Sequence, residues 1–159
     1  MKRSMDLRFL ERTACLARDN VLSNRGDPFG PVVVLEDQIV GQGANRVTVL
    51  CDPTAHAEIE AMRQAAIKLG RFDLRGCLLY MNINPYPMCL TAAYWARIKR
   101  IVCGGPNTLT EKAGFKGTYL WNEIRHPLEV RSLKVEQIDL AVCREPLLFW
   151  KRLQRKIPY

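Results

Sequence analysis

Apolar residues fall at helical and strand-like spacings in turn along this chain. Helical spacing predicts a first helix over about residues 6–22, which ends in the polar turn at residues 23–28. Residues 31–35 form a compact apolar run that is typical of a strand. A turn at Glu36-Asp37 and a second β-rich run over residues 38–43 then predict a hairpin.

The rest of the chain, from residue 52 on, continues with helices and strands in alternation. Asp52-Pro53-Thr54 predicts a helix start, with Asp52 or Thr54 as the cap, and Gly70 predicts the end of that helix after Leu69. The remaining predicted elements are strands within residues 77–81, 100–103 and 133–140 and helices over residues 88–96 and 145–156.

This order of elements predicts an α/β fold in a single domain over residues 1–159. A helix, a hairpin and then alternating helices and strands indicate a three-layer α/β/α sandwich around a central mixed sheet of five strands. The hairpin strands are expected to be antiparallel. The later strands, which helical crossovers connect, are expected to be parallel in part.

Composition is that of an ordinary soluble protein, with 48% hydrophobic and 25% charged residues in 159. No apolar stretch approaches the roughly 20 residues that span a bilayer, and no apolar run follows the basic N-terminus. We therefore expect a cytoplasmic protein with no membrane partner. Six scattered cysteines, mostly beside apolar residues, favour buried thiols over disulfides in that setting.

The net charge of +8 raises the question of a nucleic-acid partner. The basic residues are spread along the chain, however, and no aromatic and basic platform accompanies them. The densest cluster lies on the last predicted helix, where a solvated basic face is expected: Lys151, Arg152, Arg155 and Lys156. Nucleic acid is therefore not the expected partner.

Two short segments carry residues suited to chemistry at predicted helix starts. The first is residues 54–58, with the order Thr-Ala-His-Ala-Glu, and the second is residues 85–89, with the order Pro-Tyr-Pro-Met-Cys. Helix N-termini that meet at one end of a sheet form a pocket lined by backbone N–H groups, which stabilises a negatively charged oxygen. A histidine, a glutamate and a thiol there suggest metal-assisted hydrolysis.

These segments resemble the zinc-deaminase signature, H-x-E followed by P-C-x-x-C. Further segments, in the same order and over almost the whole chain, resemble bacterial guanine deaminases, members of the cytidine and deoxycytidylate deaminase superfamily. They are residues 27–30, 52–58, 87–90, 94–97 and 113–115 and the terminal Tyr159. The resemblance implies the cytidine-deaminase fold, a zinc-dependent hydrolase, and often a homodimer. In such a dimer the C-terminal segment, here about residues 143–159, crosses to the partner's active site.

The resemblance assigns roles at matching positions. His56 and Cys89 would be zinc ligands, and Glu58 would carry protons between water, ring and leaving ammonia. Asn45 would hydrogen-bond the purine ring and Phe29 would pack against it. Tyr159 would complete the neighbouring subunit's pocket.

Three positions depart from the family pattern: Tyr86 stands where the first Cys of P-C-x-x-C belongs, Asn84 replaces an acidic residue, and Gly117 replaces a substrate-binding Asp. A cysteine sulfur is one bond from Cβ, whereas a tyrosine oxygen lies across a ring. Tyr86 therefore cannot place its oxygen at the sulfur position unless the loop moves. Zinc is expected to be absent or weakly bound, and guanine loses an acceptor at Gly117.

Three functions follow from these residues. The first is an aminohydrolase acting on a guanine-like purine or a related amino-heterocycle. The second is a non-catalytic homologue that binds a small heterocycle, with Tyr86 filling the space of the metal. The third, a deaminase of the transfer-RNA type, is suggested by the positive charge and opposed by the C-terminal segment ending in Tyr159.

Overall fold

A computed structural model describes residues 2–157 of the chain. Its helices and strands, in chain order, are α1 (Lys2–Leu22), β1 (Val32–Leu35), β2 (Gln38–Gln42), α2 (Val47–Leu50), α3 (Ala57–Leu69), β3 (Leu78–Met81), α4 (Pro87–Trp95), β4 (Arg100–Cys103), α5 (Thr108–Lys112), α6 (Tyr119–Glu123), a 3-10 turn (Leu128–Val130) and α7 (Ala141–Arg152). No helix within residues 2–157 is both long enough and apolar enough to cross a membrane.

The sheet is mixed, with the strand order β2-β1-β3-β4. β1 pairs antiparallel with both β2 and β3, and β3 pairs parallel with β4. The predicted antiparallel hairpin and the partly parallel later strands are therefore confirmed. The prediction of five strands is wrong for residues 2–157, because residues 133–140 form no strand.

Two apolar clusters lie on opposite faces of the sheet, because successive side chains of a strand point to opposite faces. On β1, Val32 and Val34 pack with Phe9 of α1 and with Tyr80 of β3. Val33 packs on the other face, in a cluster with residues of α3 and with Ala93 of α4. The three-layer α/β/α arrangement is therefore present.

α3 lies unusually close to the hairpin, and this contact positions the start of the helix. Ala57, Ala61 and Ala65, four residues apart on α3, face Gly41 on β2 and Gly43 just after it. A Cβ on Gly43 would overlap the carbonyl oxygen of Ala57, and one on Gly41 would overlap that of Ala61. The small residues on both elements are thus what allow this approach.

α3 begins later than predicted, because its N-cap residue is His56 and not Asp52 or Thr54. The carboxylate of Asp52 accepts hydrogen bonds from both the backbone N–H and the hydroxyl of Thr54, so these residues form a local turn instead of a cap. The chain stays extended at His56 (ψ 153°), and the helix starts at Ala57. The predicted end is confirmed, since Gly70 caps α3 in the left-handed conformation with φ 63°.

The chain divides into two compact units, with the boundary between Trp121 and Asn122. In the second unit the 3-10 turn and α7 are the regular elements among residues 124–157. The apolar residues of the strand predicted over residues 133–140 are exposed: Leu133, Val135, Ile138 and Leu140. Apolar residues at such spacings do not by themselves make a strand, because a strand also needs a neighbouring strand to pair its backbone groups.

Candidate active site

His56 and Glu58 flank the first residue of α3, Ala57. His56 is the N-cap residue, and its side chain does not cap the helix, so it is free to act elsewhere. Glu58 lies in the first turn and is only 7% exposed. The contact between Ala57 and Gly43 holds this turn against the hairpin, which explains how a carboxylate becomes buried beside an imidazole.

Cys89 is placed by the first turn of α4. Pro87 begins that helix, a position that suits proline because the first N–H of a helix has no intrahelical partner. Tyr86 precedes it as the extended N-cap residue (ψ 166°), and its side chain does not cap the helix either. Cys89, the third residue of the helix, is fully buried.

The two helix starts bring their polar side chains together. His56 Nδ1 lies 3.5 Å from Cys89 Sγ. One donor atom from each of His56, Glu58 and Cys89 lies within 4.8 Å of the other two. An imidazole, a carboxylate and a thiol at such distances are donors that transition metals accept.

Burial dominates the electrostatics of this cluster. Loss of hydration raises the pKa of Glu58, and the nearby His56 and Cys89 only partly offset this effect. Burial also raises the pKa of Cys89 strongly, and the neighbouring Glu58 raises it further. Glu58 therefore holds a proton more readily than an exposed glutamate, as a group that both takes and returns protons must.

The cluster opens into a cavity of about 390 Å³ with aromatic walls. Phe29 lines it and meets Phe115 edge to face, with ring centroids 5.0 Å apart. Asn45 also lines it, and its side-chain oxygen accepts a hydrogen bond from Val47 N at 3.1 Å. That bond leaves the amide NH₂ of Asn45 as a donor for a ligand.

The position of the first cysteine of the P-C-x-x-C pattern holds Tyr86, and the ring of Tyr86 lines the same cavity. The Tyr86 hydroxyl donates to the Phe115 carbonyl at 3.0 Å and lies 2.7 Å from the hydroxyl of the buried Thr110. The ring packs against Gly117. The phenol oxygen is thus bonded to α5 and the following loop.

The structure brings most of the predicted residues to one place. His56, Glu58, Asn45, Phe29 and Tyr86 line the cavity, and Cys89 lies beside its polar end. Asn84 and Gly117, the other departures from the family pattern, line it as well. Tyr159 lies outside the described residues.

Sequence reasoning missed the site roles of Phe115 and Thr110. The sequence assigned Phe115 no role beyond its place in a segment that resembles the family. Its ring nevertheless packs on Phe29, and its carbonyl accepts a hydrogen bond from the Tyr86 hydroxyl. Thr110 lies on α5, which was not predicted, and it gave no signal in the sequence.

Comparison with known families places the chain among nucleobase-modifying enzymes. The family model for the cytidine and deoxycytidylate deaminase zinc-binding region matches residues 3–105. The guanine deaminase of Bacillus subtilis (strain 168) is 39% identical over 151 residues, which are 95% of this chain and 97% of that protein. The tRNA-specific adenosine deaminase of Agrobacterium fabrum is 38% identical over 100 residues, which are 63% of this chain and 62% of that protein.

Solved structures agree with this similarity. The crystal structure of the Bacillus subtilis guanine deaminase superposes with a TM-score of 0.91 at 39% identity and covers 96% of this chain and 97% of that chain. A guanine deaminase from Nitrosomonas europaea superposes with a TM-score of 0.63 at 30% identity, over 69% of this chain and 64% of that chain. The similarity to the Bacillus enzyme therefore extends through nearly the whole chain.

Proposed function

The chain belongs to the cytidine and deoxycytidylate deaminase family, within its guanine deaminase group, and from this we propose that it is an aminohydrolase of purines. The reaction replaces an exocyclic amino group of a guanine-like purine or a related amino-heterocycle with oxygen and releases ammonia. The observation that carries the proposal is Glu58, buried at a helix start beside His56 and Cys89 in a cavity with aromatic walls.

Four of the residues that line the cavity have a role in this reaction. Phe29 and Phe115 pack against the flat ring, and the Asn45 amide donates to a ring nitrogen. Glu58 takes a proton from the attacking water. It delivers that proton to the ring nitrogen. It then takes the proton of the hydroxyl added to the ring carbon and passes it to the amino group, so that the C–N bond breaks, ammonia leaves and a C=O group forms. The raised pKa of Glu58 suits a group that is protonated in one step and ionised in the next.

Zinc in this family supplies a coordinated water whose pKa is lowered to about 7. The residues of this chain do not fit the family's set of one histidine and two cysteines. His56 and Cys89 are in place, but the third position holds Tyr86, whose hydroxyl is bonded to Thr110 and Phe115. We therefore propose that zinc is absent or substoichiometric, and we assign no step to it.

Tyr86 also favours a second function, the binding of a small heterocycle without turnover. Its ring lines the same cavity as His56 and gives that cavity another aromatic surface on which a flat ligand can pack. The two functions share the ligand class and differ only in whether ammonia is released.

Ammonia release separates the two functions. Purified protein is assayed with guanine, adenine, cytosine, their nucleosides and pterins, with and without added zinc. Release from a purine supports the aminohydrolase. Binding of a purine by calorimetry with no ammonia from any compound supports the binding protein, and activity confined to transfer RNA would overturn both.

We further propose a homodimer in which the C-terminal segment, about residues 143–159, is exchanged so that each deaminase-like domain is completed by its partner. The support lies on α7, where four consecutive large apolar residues are exposed: Leu147, Leu148, Phe149 and Trp150. An apolar helix surface of this kind is typically covered by protein. Sedimentation as a monomer at micromolar concentration would overturn the dimer.

A cytoplasmic location is the last part of this proposal. All six cysteines are free thiols, and two of them, Cys77 and Cys89, are buried. Free thiols persist in the reducing cytoplasm.

A further inference from the structure

The ring of Tyr86 occupies the space that a side chain at position 117 would need. A Cβ added to Gly117 would lie 2.6 Å from Tyr86 Cε1 and 2.8 Å from its Cδ1 and Cζ. Gly117 does not have the positive φ that only glycine tolerates well. The backbone therefore permits other residues at 117, and it is the phenol ring that excludes them.

The ring cannot easily swing away, because its hydroxyl is held at the far end. Tyr86 Oη donates to the Phe115 carbonyl at 3.0 Å and lies 2.7 Å from Thr110 Oγ1. Thr110 is buried, and its hydroxyl in turn lies 2.6 Å from the Asn107 carbonyl. Tyr86 is thus fixed at both ends, by the start of α4 and by α5 with its following loop.

This arrangement decides which hydrogen-bonding groups this one wall offers to a ligand; Asp27 and Asn84 line the same cavity with acceptor oxygens of their own. The wall formed by Tyr86 and Gly117 is an aromatic ring beside a residue without a side chain, so no side-chain acceptor is present there. Asn45 offers its amide NH₂, because its oxygen is bonded to Val47 N. A ring nitrogen without a hydrogen can accept from Asn45, whereas a ring N–H at the Tyr86 wall would lose its bond to water.

We infer that Tyr86 and Gly117 together determine ligand specificity. The Tyr86 ring excludes a side chain at position 117, so this wall of the pocket has no side-chain acceptor. The pocket therefore prefers amino-heterocycles in which the ring nitrogens next to the amino-bearing carbon carry no hydrogen. This inference deepens the proposed function and rests on it for the kind of ligand. Guanine, which has an N1–H beside its amino-bearing carbon, is disfavoured. 2-Aminopurine has the same amino group and an unprotonated N1, and it is favoured.

Steric coupling is tested first, with stability as the readout and without reference to activity. Gly117→Ala is expected to lower the melting temperature by about 5 °C, because its Cβ meets a fixed ring. In the Tyr86→Cys background the same Gly117→Ala change is expected to have almost no effect. An equal effect of Gly117→Ala in both backgrounds, large or small, would overturn the coupling.

Ligand preference is tested by calorimetry with 2-aminopurine and guanine as probes. The wild-type chain is expected to bind 2-aminopurine at least about tenfold more tightly, the cost of one unpaired buried donor. Tyr86→Cys with Gly117→Asp removes the wall and adds an acceptor, and it is expected to reverse this order. An unchanged order in the double variant, or a wild-type preference for guanine, would overturn the inference.

A third variant, Tyr86→Phe, tests the hydrogen bonds of the Tyr86 hydroxyl separately from its ring. Tyr86→Phe keeps the ring and removes the bonds to Thr110 and Phe115, so it is expected to keep the preference for 2-aminopurine while weakening the clash of Gly117→Ala. Loss of the preference in Tyr86→Phe would show that the hydroxyl, not the wall, selects the ligand. If both probes bind in the expected order and no amino-heterocycle releases ammonia, the aminohydrolase fails and the inference about Tyr86 and Gly117 stands.

Discussion

Glu58 is the residue on which the proposed reaction depends, and its removal gives the most direct test. We expect Glu58→Gln to lower ammonia release by about 10²–10⁴-fold, because the amide keeps the shape of the side chain but cannot carry a proton. Ligand affinity is expected to stay nearly unchanged. Ammonia release with a saturating purine and calorimetry with the same purine measure the two effects.

Glu60 provides the matched control on the same helix turn. It lies outside the cavity and pairs with Arg63 at 2.6 Å, so Glu60→Gln changes the charge of α3 equally without touching the ligand. Its turnover is expected to equal that of the wild type. If Glu58→Gln loses only some stability and turns over at the wild-type rate, Glu58 merely complements the helix dipole, a contribution of about 0.3–1 kcal/mol.

At the scale of residues, sequence reasoning located the site better than it described its contacts. His56, Glu58 and Cys89 belong to short motifs at helix starts, and these motifs were enough to predict that the three side chains lie close together. The hydroxyl of Tyr86 is bonded to Thr110, which is 24 residues away in sequence. Such a contact depends on how α5 packs, and no periodicity or motif encodes it.

At the scale of elements, the contact between the hairpin and α3 holds the active residues in place. We expect Gly43→Ala to destabilise the protein by about 3 kcal/mol, because its Cβ overlaps the Ala57 carbonyl and must push α3 away. Since Ala57 lies between His56 and Glu58, turnover is expected to fall as well. Chemical denaturation and the ammonia assay measure both effects.

Gly70→Ala is the control for that change, since it replaces a glycine at the other end of the same helix. No atom lies within 4 Å of a Cβ on Gly70, so its cost is limited to the left-handed backbone, about 1 kcal/mol. Turnover is expected to be unchanged, because the end of α3 is remote from the site. Equal effects of the two substitutions on turnover would contradict the positioning role of Gly43.

A second prediction at this scale concerns the bonds that tie α1 to the sheet. The Tyr80 hydroxyl donates to Asp6 at 2.7 Å, and Arg100 binds the same carboxylate at 2.6 Å. Burial and, next, the bond to Asp6 raise the pKa of Tyr80 to about 12. The unfolded chain loses that proton near pH 10, so this contribution to stability is present below pH 10 and is lost between pH 10 and about 12.

Tyr80→Phe tests this pH dependence. The variant is expected to be less stable at neutral pH and to lose less stability than the wild type between pH 10 and 12, measured by chemical denaturation. Tyr119→Phe, at an exposed tyrosine, is expected to follow the wild-type curve. If wild type and Tyr80→Phe lose the same stability between pH 10 and 12, Tyr80 is not the source of this pH dependence.

The elements that sequence reasoning placed correctly are those with a clear local signal. The hairpin, the end of α3 at Gly70 and the strand β4 (Arg100–Cys103) all match, because turn residues and short apolar runs specify them locally. The strand predicted over residues 133–140 failed because such a signal is not sufficient. Its apolar residues have strand-like spacings, but strand formation requires a pairing edge, which the pattern of one segment does not reveal.

At the scale of the whole molecule, the proposed exchange of C-terminal segments makes each active site depend on two chains. Deletion of residues 157–159 is expected to weaken ligand binding and turnover, because in the proposed exchange Tyr159 completes the partner's pocket. Little loss of stability is expected, since Ile157 is 73% exposed. The Glu58→Gln chain is also expected to lose turnover, but for a different reason: it lacks the proton carrier and keeps its tail.

Mixing the Glu58→Gln chain with the chain that lacks residues 157–159 tests the exchange. After dissociation and reassembly, a mixed dimer contains one pocket with an intact Glu58 that receives Tyr159 from the Glu58→Gln chain. In an equal mixture half of the dimers are mixed and each has one complete site of two, so about a quarter of wild-type activity is expected to return. If each tail serves the pocket of its own chain, no complete site can form and the mixture stays inactive. Recovery would therefore establish both the dimer and the exchange, whereas its absence, with mixed dimers shown by mass spectrometry, would exclude the exchange.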